Sequence, residues 1–364
     1  MATTTAGIDD APGDPTLVEM AMAYSRSRVV CAAARLGIAD ALAGGERSAD
    51  DLAKSCAADR DSLYRLLRAL AILGITAETA PGRFVLTSFG EPLRKDVPNS
   101  AWPAVVFWAD LLADSWSYLT DCVRTGQSAF KIMETRGIES RWSQDPDANA
   151  IFRAVMGTAP GEDYMPIARA WDFGGRKVVA DLGGGGGALI SAILKCNPRL
   201  SGMLVDRPAS IESAAPRLET EGIAARCKLI AADLTESVPS GADVYTMKHV
   251  LHGYRDDSAV RILKNCRAVI PSDGFLLVIE FVLPDVISRP DKKLERTVMS
   301  DINMMAVTGG SERSPLQWKS LLSAGGFEMR RIIPIAAEDG HKSPQNVAIV
   351  QGVSLIEAVP AVIP

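Results

Sequence analysis

From residue 16 to about 170, apolar residues recur at spacings of three and four, through 17–42, 63–73 and 105–123. That is the period of amphipathic helices. Ser48 followed by Asp51 resembles a capping box that opens a short helix, with Asp in place of Glu. DRDSLYRLLRALAILGI (59–75) reads as a strongly amphipathic helix ending at Gly74. After the breaker Pro81 and Gly82, RFVLTSFG (83–90) reads as a strand and turn.

Beyond Arg176 the texture changes to apolar runs separated, for the most part, by helical stretches. The runs are KVVADL, GMLVD, CKLIAAD, DVYTMKHVL, GFLLVIEFVL, MRRIIPI and NVAIVQG. Continuous apolar strands with helical crossovers predict an α/β fold, a largely parallel sheet covered on both faces. Ligands of such sheets sit at the carboxyl ends of the strands. The chain therefore divides into a tail (1–15), a helical domain (16–170), a sheet domain (171–354) and a second tail (355–364).

Short helix, turn, longer helix and small β-wing suggest a winged-helix module in the first domain. Charge tests a DNA-binding role: residues 48–96 carry seven Lys/Arg and seven Asp/Glu. A groove-reading module normally presents a basic face, so packing or dimerisation fits better. The whole chain, with 39 basic and 44 acidic residues and a net charge of −5, has no general attraction to nucleic acid or anionic membrane.

Its six cysteines lie at least 25 residues apart, without a C-x-x-C pair or zinc spacing. Reduced cytosolic thiols are the expectation. The segment MATTTAGIDDAPGDP lacks the features of a signal peptide and reads as a frayed tail, and no 18-residue apolar run predicts a membrane span. The expected location is the cytoplasm.

VVADLGGGGGALISAIL (178–194) is strand, five consecutive glycines, then helix. Glycine there permits a tight turn and close approach of a ligand to a helix N-terminus. Gly183, Gly185 and Ala188 even match a dinucleotide fingerprint, which leaves NAD(P) and S-adenosylmethionine both open. Asp181, Asp206 and Asp233 fall at three successive strand ends. A dinucleotide would bring its pyrophosphate near Asp181, against like-charge repulsion. The sulfonium and ammonium of S-adenosylmethionine suit this acidic setting better.

Only three histidines occur: His249, His252 and His341. The first two lie in YTMKHVLHGYRDD (245–257), read as a strand running into a loop. Three apart on a strand, they would face opposite ways, which argues against a metal pair; no metal is expected. His252 falls at the mouth of the sheet and can serve as a general base. Glu280, inside the apolar run LLVIEFVLP, needs a partner. Glu312 lies in TGGSERSPLQW, a glycine turn before a helix. A histidine made more basic by carboxylates is the general logic of base catalysis.

With these residues in hand, the chain resembles the two-domain S-adenosylmethionine-dependent O-methyltransferases, the family of plant caffeate, acetylserotonin and bacterial secondary-metabolite enzymes. The resemblance rests on DLGGGGG (181–187), LVDRP (204–208), AADL (231–234), MKHVLHGY (247–254), VIEFVLPD (278–285) and GGSER (309–313). LYRLLRALAILGI and TSFGEPLR also look like its dimerisation domain. It implies a Rossmann-like methyltransferase sheet preceded by a winged-helix dimerisation domain, a homodimer and a small-molecule acceptor.

The resemblance further implies that Gly183, Gly185, Asp206, Arg207, Asp233, Leu234, Lys248 and Tyr254 join Asp181 at the cofactor. His252 matches the catalytic base, Glu280 and Glu312 its flanking carboxylates, and Phe152, Met156 and Met304 the acceptor pocket. One pair departs: Gly253 and Tyr254 stand where the family usually has Asp and Trp. That puts a typical catechol-like acceptor in question, and C- or N-methylation, a non-methylating reaction and a ligand-sensing regulator stay as alternatives.

Overall fold

The computed structural model describes residues 16–156, 164–335 and 352–362. The expected tail at 1–15, the strand expected over 346–352 apart from Gly352, and His341 lie outside the described residues. The chain forms two compact units, one of residues 1–113 with 287–291 and one of 114–286 with 292–364.

In the first unit, Thr16 opens the helix Leu17–Leu36 with a capping box to Glu19, and Gly37 ends it in the left-handed conformation. Ser48 caps Ala49–Ser55 by accepting the Asp51 N–H, and Asp59 caps Arg60–Ile72. Leu63, Leu67 and Leu70 bury one face of that second helix. β1 (Arg47–Ser48), β2 (Thr76–Ala80) and β3 (Arg83–Leu86) form a small antiparallel sheet in the order β1-β3-β2. Short helix, longer helix and wing are thus all present. The start of the first helix exposes Leu17, Val18, Met20, Met22 and Tyr24.

The second unit begins earlier than residue 170. The helices Leu119–Thr125 and Ala129–Thr135 pack against Lys292–Val307; helical periodicity identifies a buried face but not its partner. Among the described residues its sheet has seven strands: β4 (Val178–Leu182), β5 (Ser201–Asp206), β6 (Cys227–Ala231), β7 (Val244–Lys248), β8 (Phe275–Phe281), β9 (Phe327–Pro334) and β10 (Val353–Pro360). Their order is β6-β5-β4-β7-β8-β10-β9. β4 to β8 pair in parallel, and β10 runs antiparallel between β8 and β9.

β10 corrects the second tail. Val353, Leu355, Ile356 and Ala358 are core residues, and Glu357, buried between them, accepts the Trp171 indole N–H (2.8 Å) and an Arg331 pair. Apolar clusters cover both faces of the sheet. Val179, Leu204, Val244, Leu277 and Ile279 lie in one; Ala180, Val205, Tyr245, Leu276 and Val278 lie in the other. Because side chains alternate, the polar Asp181 and Thr246 share the first face, side by side in register. Strand order, not strand direction, reverses at β4, with β5 and β6 on one side and β7 and β8 on the other, so the carboxyl ends of β5, β4, β7 and β8 open on one crevice.

Candidate active site

The glycine loop leaves β4 at Leu182. Gly183 adopts φ +69°, and a Cβ there would come within 2.6 Å of Val250 Cγ2, with Leu234 Cδ1 at 3.8 Å. Glycine is needed for both reasons, and the loop abuts the histidine segment after β7. Asp206, at the end of β5, accepts the Gly185 N–H (2.8 Å) and the Arg207 N–H (2.6 Å). Asp233 accepts both the N–H and the hydroxyl of Thr235, bonds that hold its carboxyl below the usual range.

Asp181 is fully buried. One carboxyl oxygen accepts the Thr246 hydroxyl (2.8 Å); the other lies beneath Gly184 and, among the described residues, has no hydrogen-bond partner. Burial pushes its pKa up to about 7, against the smaller opposing effects of Thr246 and the Lys248 charge. Lys248 lies over the Tyr164 ring (5.1 Å).

Past Lys248 the strand breaks. His249 takes φ +53°, left-handed and uncommon for a non-glycine residue, and residues Leu251–Gly253 form a single 3₁₀ turn. The two imidazoles therefore stack with centroids 5.0 Å apart and planes 26° apart, instead of facing opposite ways. His249 Nδ1 lies 3.1 Å from Glu280 Oε2, and His252 Nδ1 lies 3.5 Å from the same oxygen and 2.8 Å from Glu312 Oε1. Glu280 is wholly buried and also accepts the Val250 (3.0 Å) and His252 (3.3 Å) N–H groups.

Three of these side chains bring possible ligand atoms within 4.8 Å of one another, namely His249, His252 and Glu280. The geometric argument against a metal pair therefore falls. What the arrangement displays is hydrogen bonding, with each Nδ1 directed at a carboxylate.

The pKa values diverge. Burial, the largest effect on both rings, favours the neutral imidazole. For His249 the nearby Lys248 charge adds to it and the value falls; for His252 the charges of Glu280 and Glu312, with the Glu312 hydrogen bond, outweigh it and the value rises. Burial would likewise raise Glu280, but its interactions with His252 and His249 hold it below the ordinary range. With a proton on Nδ1 donated to Glu312, Nε2 of His252 is left as the basic nitrogen.

The O-methyltransferase domain model matches residues 116–328, and the O-methyltransferase dimerisation domain model matches 18–95. The chain belongs to the O-methyltransferase family. An O-methyltransferase of Streptomyces lavendulae is 34% identical over 316 residues, 86% of this chain and 94% of that protein. The solved structure of a mitomycin 7-O-methyltransferase superposes with a TM-score of 0.81 at 31% identity, covering 95% and 97% of the two chains. That of a neocarzinostatin-biosynthesis O-methyltransferase, in complex with S-adenosylmethionine and 2-hydroxy-5-methyl naphthoic acid, gives 0.77 at 30% identity, covering 96% and 99%.

In this O-methyltransferase the donor set at the strand ends fits a neutral-to-cationic nucleoside ligand: a side-chain-free loop, an acidic residue on β5 and a buried carboxyl oxygen under the loop that has no partner among the described residues. Gly183 and Leu234 come together there. His252, Glu280 and Glu312 come together beside it. Tyr254 packs against the apolar cluster on one sheet face, and its carbonyl accepts from Arg313 (3.0 Å). Phe152 and Met156 share a half-exposed stripe of Ala148–Met156, where Phe152 meets Trp142 edge-on. Met304 stands apart from them in sequence, on Lys292–Val307.

Several residues at the site carry no signal in a single sequence. The Ser300 hydroxyl donates to Glu312 Oε1 (2.7 Å) and Asp301 accepts the Glu312 N–H (2.8 Å). Arg313, 2% exposed, binds the carbonyls of Leu251, Ser311 and Tyr254 and the Asp256 carboxylate. A Cβ on Gly310 would lie 2.0 Å from the His252 carbonyl. The GGSER glycine turn was the one available cue to this clamp.

Proposed function

We propose that this O-methyltransferase transfers a methyl group from S-adenosylmethionine to a phenolic hydroxyl of a small secondary-metabolite acceptor, with His252 as general base. The observation that carries the reading is the His252 imidazole flanked by two buried carboxylates beside the glycine loop. When bound, S-adenosylmethionine supplies an electrophilic methyl group on a sulfonium. Gly183, Gly185, Asp206, Arg207, Asp233, Leu234, Lys248 and Tyr254 would hold it, with the buried Asp181 beneath the loop.

A phenol has a pKa near 10, like tyrosine, so at neutral pH it is mostly protonated and poorly nucleophilic. His252 Nε2 takes that proton as the oxygen attacks, an effect worth roughly 10²–10⁴-fold. Glu312 fixes the ring through Nδ1, and both carboxylates stabilise the imidazolium that forms. Holding donor and acceptor in line supplies much of the remaining acceleration. Phe152, Met156 and Met304 would shape the acceptor pocket. The neocarzinostatin enzyme's complex with a hydroxynaphthoic acid supports an aromatic hydroxyl as acceptor.

The matched dimerisation domain and the exposed apolar start of its first helix support a homodimer, and the cysteines, none of them in a disulfide, fit a cytoplasmic setting. Transfer of labelled methyl to phenols and anilines, with product mapping, tests the reading. O-methylated phenols are expected; N- or C-methylated products alone would contradict it.

A further inference from the structure

A second polar group is buried without a partner among the described residues. Asn303 is 6% exposed, and among the described residues its carbonyl oxygen Oδ1 meets no donor. Buried acceptors are almost always paired, so an unpaired one in a native core marks either strain or a ligand contact. Asn303 lies on the helix Lys292–Val307, three residues after Ser300. Side chains three and four apart share a helix face, so Ser300, Asn303 and Met304 form one stripe.

Ser300 fixes where that stripe points, because its hydroxyl reaches Glu312 Oε1 at 2.7 Å, and the same oxygen lies 2.8 Å from His252 Nδ1. Among the described residues the other Glu312 oxygen is also buried without a donor. The residue after His252 carries no side chain, and a Cβ on Gly253 would meet nothing within 4 Å. The helix stripe that reaches the base through Ser300 and Glu312 thus carries one unpaired acceptor, and the carboxylate bound to the base carries another.

We propose that Asn303 is an acceptor-recognition residue, whose Oδ1 takes a hydrogen bond from a second hydroxyl or amine on the molecule being methylated. A phenol with one hydroxyl leaves Oδ1 unpaired when bound; one with a further donor pairs it. A site built to bind a donor discriminates strongly against analogues that lack it. This inference rests on the phenolic reading above and specifies which phenols the enzyme selects.

The test uses the full chain with phenol, catechol, resorcinol and hydroquinone, which place the second hydroxyl at each ring position. In the wild type, kcat/KM for the best dihydroxybenzene should exceed that for phenol by about tenfold or more. Titration of the same compounds into S-adenosylhomocysteine-loaded protein should show the same order in Kd. Asn303→Leu and Asn303→Ala should bring both ratios to within about twofold, while Asn303→Asp, which keeps acceptor oxygens, retains the preference. Wild-type turnover without a dihydroxybenzene preference, or a preference that survives in Leu and Ala variants with native circular dichroism, overturns the assignment. Cofactor binding with transfer to none of the four probes overturns the phenolic reading itself, and the assignment with it.

Discussion

His249 and His252 are the same side chain stacked 5.0 Å apart, yet their pKa values move in opposite directions. The difference lies in the carboxylates: Glu312 stands at His252 Nδ1, and the summed charge of two glutamates overcomes burial there. A base works only when deprotonated, so the acid limb of kcat/KM should lie above pH 6.5, the ordinary histidine value. Glu312→Gln removes a negative charge that favours imidazolium, so the pKa falls and that limb moves to lower pH while kcat drops. A limb that stays in place excludes Glu312 from the base's electrostatics. Asp181 makes a separate prediction. Its folded pKa, about 7, stands above its ordinary 3.8, so without cofactor the native state binds that proton more tightly than the unfolded chain. Stability therefore falls as pH rises from about 4 to about 7 and levels off beyond. Thermal melts across this range should show a smaller decline for Asp181→Asn than for the wild type; parallel declines would remove the buried, strained carboxyl.

At the scale of elements, the histidine turn is held from two sides by one short segment. Glu312 faces the imidazole, while the neighbouring Arg313 ties the turn's carbonyls and Gly310 lies against the His252 carbonyl. Ser311 N–H donates to that carbonyl as well (2.9 Å). Gly310→Ala forces these backbones apart, an overpacking worth about 1–3 kcal/mol. It should lower Tm by several degrees and reduce turnover more than cofactor affinity; an unchanged Tm and kcat would show the clamp is slack. The strand ends were legible because apolar runs bounded by Gly and Asp mark them. The relative placing of the two histidines is not legible, because strand periodicity ends at Lys248, where the left-handed His249 breaks it. Ser300, Asp301 and Asn303 were invisible for a plainer reason: polar residues on a helix look solvent-facing until the partner is known.

At the scale of the whole molecule, both units were readable as elements but not as boundaries. Periodicity reports that the helices after residue 113 have a buried face, not that they bury it in the second unit. β10 is not legible because a single short apolar run close to the end of the sequence resembles a tail; pairing with β8 and β9 gives it a core. In the first unit, Leu17, Met20 and Tyr24 form one exposed apolar stripe. Met20→Asp with Tyr24→Asp should shift light-scattering mass from dimer toward monomer, and a dimer that persists would place the interface elsewhere. The central claim is that His252 removes the acceptor's proton, and His252→Gln assayed for labelled methyl transfer, alongside calorimetric titration with S-adenosylmethionine, tests it most directly. The account predicts near wild-type cofactor affinity with turnover reduced by roughly 10²–10⁴-fold. Turnover within a few-fold of the wild type would contradict it.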